Sequence, residues 1–116
     1  MNNLLKETEA CIKGIDKTPE DIRWIGSRNG EYACTWGQFK ELADFEYDSG
    51  FGSQKVARDL VITFTDGSWL NRYEYDGSEG WCFNEVPTIN DITKPIDMLT
   101  KHDAMWETLE ELHEEE

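Results

Sequence analysis

Leu4, Thr8, Cys11, Ile12 and Ile15 recur at helical spacing, which predicts a helix over 3–13 with Asn2 or Asn3 as its cap and Gly14 as its end. "TPED" at 18–21 has the form of a helix start, yet apolar "IRWI" follows at once, so one turn gives way to a strand. In "IRWIGSRNGEYACTW" the central Asn29-Gly30 predicts a hairpin, because both residues accept positive φ. "TWGQFKELA" opens a short helix, with Thr35 as cap and Gln38 completing a capping box. "DFEYDSGFGSQ" reads as a loop.

The strongest alternation lies in "DLVITFTDGSWLNRYEYDGSEGWCF", where two strands flank Asp66-Gly67 and a third follows the turn at 76–80. A two-residue turn would pair Phe64 with Trp69, Ile62 with Asn71 and Leu60 with Tyr73. Carried onward, it sets Tyr75 near Trp81 and Tyr73 near Phe83. Trp69, Tyr73, Tyr75, Trp81 and Phe83 then share a core face, and Asp59, Val61, Thr63, Leu70, Arg72, Glu74 and Cys82 the other. Pro87 and Pro95 punctuate a connection to a helical segment, or pair of segments, over about 95–114. The order α-β-β-α-β-β-β-α predicts a single α+β domain over 1–116. Its antiparallel sheet of about five strands, a hairpin plus a three-stranded meander, is backed by helices.

Composition adds a core and a charge problem. Five Trp, five Phe and four Tyr are ample for a packed interior, so the chain is not a disordered acidic tail. No apolar run reaches membrane-spanning length, and "MNNLLKETEACIKGI" places charges where a secretion signal needs an apolar stretch. Cys11, Cys34 and Cys82 form no metal-binding or redox spacing, which fits reduced thiols in a cytosolic protein. Against 25 acids stand 11 bases, a net charge of −14, which repels nucleic acid and anionic membranes and favours basic partners.

That surplus is concentrated. Residues 41–54 hold Glu41, Asp44, Glu46 and Asp48; residues 73–93 hold Glu74, Asp76, Glu79, Glu85 and Asp91. Residues 102–116 hold Asp103, Glu107, Glu110, Glu111, Glu114, Glu115 and Glu116, and none of the three segments contains Lys or Arg. On a continuous helix over 102–116, Met105, Trp106, Leu109 and Leu112 would face the core. Asp103, Glu107, Glu110, Glu111 and Glu114 would form one stripe opposite. Carboxylates late in such a helix oppose its dipole, and like charges one turn apart repel. A helix of that length rises about 22 Å, over which one DNA strand carries about six phosphates. The stripe would therefore match a strand's charge density. The competing reading is a solvated acidic helix end.

Size, charge, the α+β layout and the terminal "WETLEELHEEE" together resemble the small acidic inhibitors of phages and mobile elements that block CRISPR–Cas or restriction enzymes as DNA mimics. The resemblance is one of general character, carries no shared motif and assigns no residue. It implies a non-enzymatic cytoplasmic inhibitor whose partner is a basic, nucleic-acid-binding complex or nuclease. Such an inhibitor would need no cofactor and would bind neither nucleic acid nor membrane. Charge alone assigns the contacts: Glu107, Glu110, Glu111, Glu114 and Asp103 first, then Asp76 and Glu79 in the strand turn and Asp44, Glu46 and Asp48 in the loop.

Other readings compete. An immunity protein or antitoxin opposing a basic nuclease toxin would carry the same charge pattern. An aromatic platform for sugars or peptides would use the sheet's rings, and Trp24 or Trp36 would suit an interface anchor. "DFEYDSG" alternates acids as a calcium loop does, but Ser49 stands where that loop needs Gly and Lys55 where it needs Glu. His102 and His113 are too far apart along one helix to share a metal, and no nucleophile or phosphate-loop motif occurs.

Overall fold

Asn3 opens the first helix by accepting a hydrogen bond from Lys6 N at 3.0 Å. In this computed structural model, residues 2–48, 50, 53–102 and 107–114 are described. The sequence reading treats 1–116 as one domain; the structure sorts it into two compact units, Met1–Val86 and Pro87–Glu116.

In the first unit the order is β1 (Asn2–Asn3), α1 (Leu4–Gly14), a 3-10 turn (Pro19–Asp21), β2 (Ile22–Ser27), β3 (Ala33–Cys34) and α2 (Trp36–Leu42). There follow β4 (Glu46–Tyr47), β5 (Leu60–Phe64), β6 (Trp69–Tyr75) and β7 (Ser78–Asn84). Five strands form an antiparallel sheet in the order β3-β2-β5-β6-β7, and β1 pairs separately with β4. The fold is α+β, as expected, with those two short strands added.

Local chemistry explains the elements that match. In α1, Leu4, Thr8 and Ile12 are buried on one stripe. The helix continues through Gly14, and it is Asp16 that takes positive φ beyond its end. Thr35 and Gln38 exchange bonds of 3.1 and 2.9 Å, closing the expected capping box on α2. The expected hairpin at Asn29-Gly30 forms, with Gly26 opposite Ala33. It does so through a four-residue loop, since Ser27 N donates to Tyr32 O and only Gly30 has positive φ.

The meander differs from the expected pairing. Ile62 lies opposite Leu70 and Thr63 opposite Trp69, one residue from the two-residue-turn register. Phe64 N donates to Ser68 O, so the loop is Thr65-Asp66-Gly67, with Gly67 at φ 91° in the conformation a three-residue hairpin reserves for glycine. Lys17 pairs with Asp66 at 2.6 Å and, with Ser68, holds that carboxyl well below the usual range. The next turn is tighter than expected: Asp76 and Gly77 both have positive φ, and Tyr75 faces Ser78 directly.

A one-residue slip turns every side chain to the other face. Leu70 and Arg72 therefore join Ile62 and Phe64 under the helices, while Trp69, Tyr73 and Tyr75 move to the outer face. The core comprises Leu4, Ile12, Ile25, Phe39, Ala43, Tyr47, Val56, Ile62, Phe64 and Leu70, with Trp81 half-buried against it. Of the five expected core aromatics, Trp81 alone packs there. Phe83 is on the same side but partly exposed.

In the second unit, Pro87–His102 contains no helix or strand. Among the described residues, the expected helix over 95–114 is present only as α3 (Leu109–Leu112); Asp103, Met105 and Trp106 lie outside the described residues. Thr108 starts α3: its backbone is extended, and its hydroxyl accepts from Glu111 N at 3.1 Å. Leu112 is buried and Leu109 exposed. Among the described residues no helix is long and apolar enough to cross a membrane.

Gly26 marks the tightest backbone approach in the sheet. A Cβ there would lie 2.0 Å from Tyr32 O and 2.5 Å from the Trp24 ring. Gly26→Ala is expected to lower unfolding free energy by about 1–3 kcal/mol, read from urea denaturation. A change below about 0.5 kcal/mol would show that the loop yields at little cost.

Candidate functional site

The acids divide into two populations with different environments. One is internal and centred on Arg72, whose guanidinium is fully buried. Arg72 Nη1 donates to Glu7 at 2.7 Å, and Nη2 donates to Glu79 at 3.0 Å and to the Tyr47 hydroxyl at 2.9 Å. Tyr47 in turn donates to Glu7. The guanidinium carbon lies 4.7 Å from the Trp81 ring centroid, and Trp81 Nε1 donates to Thr8 at 2.9 Å. One cation thus joins α1, β4, β6 and β7.

Glu79 extends the network. Its two oxygens accept from Lys55 N at 2.6 Å and Val56 N at 3.2 Å, fastening the segment before β5 to β7. Burial pushes the Glu79 carboxyl up. The Lys55 N–H, the Arg72 guanidinium and the Val56 N–H together outweigh burial and hold it below its ordinary value. Tyr47 is pushed up to about 12, first by burial and then by its bond to Glu7, against the opposing pull of Arg72. Arg72 has a raised pKa: burial opposes its charge, but Glu7, Tyr47 and Glu79 favour it more.

This corrects one expected partner contact. Glu79 is 7% exposed and its carboxylate is fully engaged, so it belongs to the interior rather than to a surface patch. The register shift carried it there, together with Arg72, which the sequence reading set on the polar face. Leu70 was the available signal. A buried Leu70 on β6 places Arg72, two residues on, on the same side.

The second population is external. Asp44, Glu46, Asp48, Asp76, Glu107, Glu110, Glu111 and Glu114 are all exposed, as are Glu41, Glu74, Glu85 and Asp91. None of them forms an ion pair with Lys or Arg among the described residues; Lys17–Asp66, Arg72–Glu7 and Arg72–Glu79 are the ion pairs found there. Asp44 accepts from the Asn3 side chain at 3.0 Å, and Asp48 from Gly50 N at 3.0 Å, so these two also shape their loop. Asp76 sits at the β6–β7 turn.

The C-terminal stripe takes a different form. Glu107 precedes the Thr108 cap, Glu110 and Glu111 occupy the first turn of a four-residue helix, and Glu114 follows its end. Asp103 falls outside the described residues. In the first turn, carboxylates face free N–H groups and are favourable, the reverse of the expected conflict with the dipole. His113 is also structural: its ring accepts from Asp97 N at 2.9 Å, and its other nitrogen lies 2.7 Å from Leu109 O. Beside it an open cleft of about 630 Å3 is lined by Lys94, Ile96, Asp97, Leu109, Glu110 and Glu114.

Among the described residues no group of three or more His, Cys, Asp or Glu is placed to hold a metal ion. Cys11, Cys34 and Cys82 are free thiols, and burial raises the first two. No protein-family model, curated protein or solved structure matches the chain.

Because folding lowers the Glu79 pKa, its stabilising contribution is complete above its ordinary value of 4.5 and is lost as pH falls through the lower folded value. The stability difference between wild type and Glu79→Gln is therefore expected to be constant from about pH 6 to 8 and to shrink below about pH 4.5. Urea midpoints across that range measure it. A difference that widens on acidification would contradict the assignment.

Proposed function

We propose that this protein is a cytoplasmic inhibitor that offers an acidic surface in place of nucleic acid and occupies the basic groove of a DNA- or RNA-handling complex. The observation that carries the reading is that, among the described residues, the external acids of the three base-free segments form no ion pair with Lys or Arg. A surface selected for stability alone would intersperse Lys and Arg among them. Among the described residues the internal acids are ion-paired, whereas the external acids of the three segments keep their charge without a Lys or Arg partner, the state in which they can neutralise a partner's cations. An anti-CRISPR or anti-restriction role fits this chemistry, with binding rather than catalysis as its mode.

The contacts proposed are Glu107, Glu110, Glu111 and Glu114 in the second unit, and Asp76, Asp44, Glu46 and Asp48 in the first. The helix α3 rises only about 6 Å and cannot trace a DNA strand alone. Attraction between such surfaces speeds encounter and weakens with salt.

The test is displacement of a labelled duplex from a panel of CRISPR effectors and restriction endonucleases. At about 50 mM salt the protein is expected to release DNA from at least one of them, with the effect falling by tenfold or more at about 200 mM. Failure to displace DNA from any member at low salt would refute the reading.

A further inference from the structure

The corrected register of β6 creates a surface that the charge argument alone does not describe. Trp69, Asn71, Tyr73 and Tyr75 alternate along the face of the sheet opposite the helices, in line with Trp24 and Thr63 on β2 and β5. Tyr73 lies across Gly80 on β7, where a Cβ would come within 3.1 Å of its ring. One side of that ring is thereby supported by backbone, and the residue remains 44% exposed. Tyr75 is 79% exposed. Neither hydroxyl has a hydrogen-bond partner among the described residues, and neither ring stacks on another there. Two large aromatic side chains are thus presented to solvent on rigid, paired backbone.

Their setting is negative. Asp76 follows Tyr75 at the hairpin tip, and the Glu74 carboxylate folds to the same tip, accepting from Gly77 N at 2.9 Å. Both acids are exposed, and the sequence from Tyr73 to Thr93 contains no Lys or Arg. A ring face attracts cations through its quadrupole, and the carboxylates attract them through charge. Sugar hydroxyls could donate to the carboxylates, but a neutral sugar gains no charge attraction there, and an anion is repelled by both. Planar guanidinium also stacks on aromatic rings while forking to carboxylates, which an ammonium does less well.

We infer that the Tyr73–Asp76 hairpin tip seats an extended arginine-bearing segment of the partner, with guanidinium groups stacked on Tyr73 and Tyr75 and drawn there by the negative charge of Asp76 and Glu74 at the tip. Residues two apart on a strand are about 6.6 Å apart on one face, so arginines at alternate positions of an extended segment meet both rings. The inference rests on the partner being basic and adds which cation it uses and where.

The probes are two peptides of equal length and charge, (Arg-Ser)4 and (Lys-Ser)4, titrated calorimetrically into the full chain at about 150 mM salt. The arginine peptide is expected to bind about tenfold more tightly. Tyr75→Ala removes most of that preference, while Tyr75→Phe, which keeps the ring, retains it. Unchanged thermal melting would confirm that both variants are folded. Equal binding of the two peptides, binding of neither, or a preference untouched by Tyr75→Ala each overturns the inference. None of these outcomes alters duplex displacement by the acidic surface. Conversely, an arginine preference without displacement from any enzyme would refute the inhibitor reading and leave this site standing.

Discussion

The buried guanidinium of Arg72 is the contact on which the first unit depends. Taking a cation out of water costs several kcal/mol, recovered only when its partners are close and well oriented. Here two carboxylates, a tyrosine hydroxyl and an indole ring from α1, β4 and β7 meet most of that demand, while the buried Arg72 Nε has no hydrogen-bond partner among the described residues. The apolar residues around it make the interior. Arg72 favours the set of side chains that points inward, because a one-residue slip of β6 would turn it to the outer face, away from Glu7 and Glu79. A hydrophobic residue at 72 would supply burial without that selectivity.

The network also separates structural charge from surface charge. Glu7 and Glu79 are consumed inside, and Asp66 is tied to Lys17. The external carboxylates of the three base-free segments gain nothing comparable, although Asp44, Asp48 and Glu111 help shape their own turns. Mutual repulsion among unpaired surface charges disfavours the compact state modestly. The proposed inhibitor role assigns that surplus to recognition of a basic partner. The inferred arginine site on the exposed tyrosines of the outer face would narrow that preference from charge in general to guanidinium in particular.

Much of this fold was legible because it is encoded locally. Asn3, Thr35 with Gln38, and Asn29-Gly30 make contacts within a few residues, so their chemistry can be read without the tertiary structure. The meander was not legible in the same way. Asp66-Gly67 suits a two-residue or a three-residue loop, and the choice is made by Lys17, Ser68 and the destination of Arg72, all set by packing. One residue of loop length then exchanged the two faces, moving Glu79 inward and Tyr73 and Tyr75 outward. At the C-terminus the clustering of Met105, Trp106, Leu109 and Leu112 on one side of a helical wheel suggested a long helix, but Thr108 caps a short one by accepting from Glu111 N. The acidic surface itself was legible from charge counts, whereas its division between two units was not.

Neutralising the external acids while leaving the internal ones intact tests whether the two populations truly differ. The variant Asp76→Asn/Glu107→Gln/Glu110→Gln/Glu114→Gln removes charge from both units and touches none of the Arg72 partners. Its unfolding free energy, measured beside duplex displacement from a susceptible enzyme, should stay within about 0.5 kcal/mol of wild type or rise, while displacement falls at least tenfold. Undiminished displacement by a folded variant would show that the negative surface is not what the partner recognises.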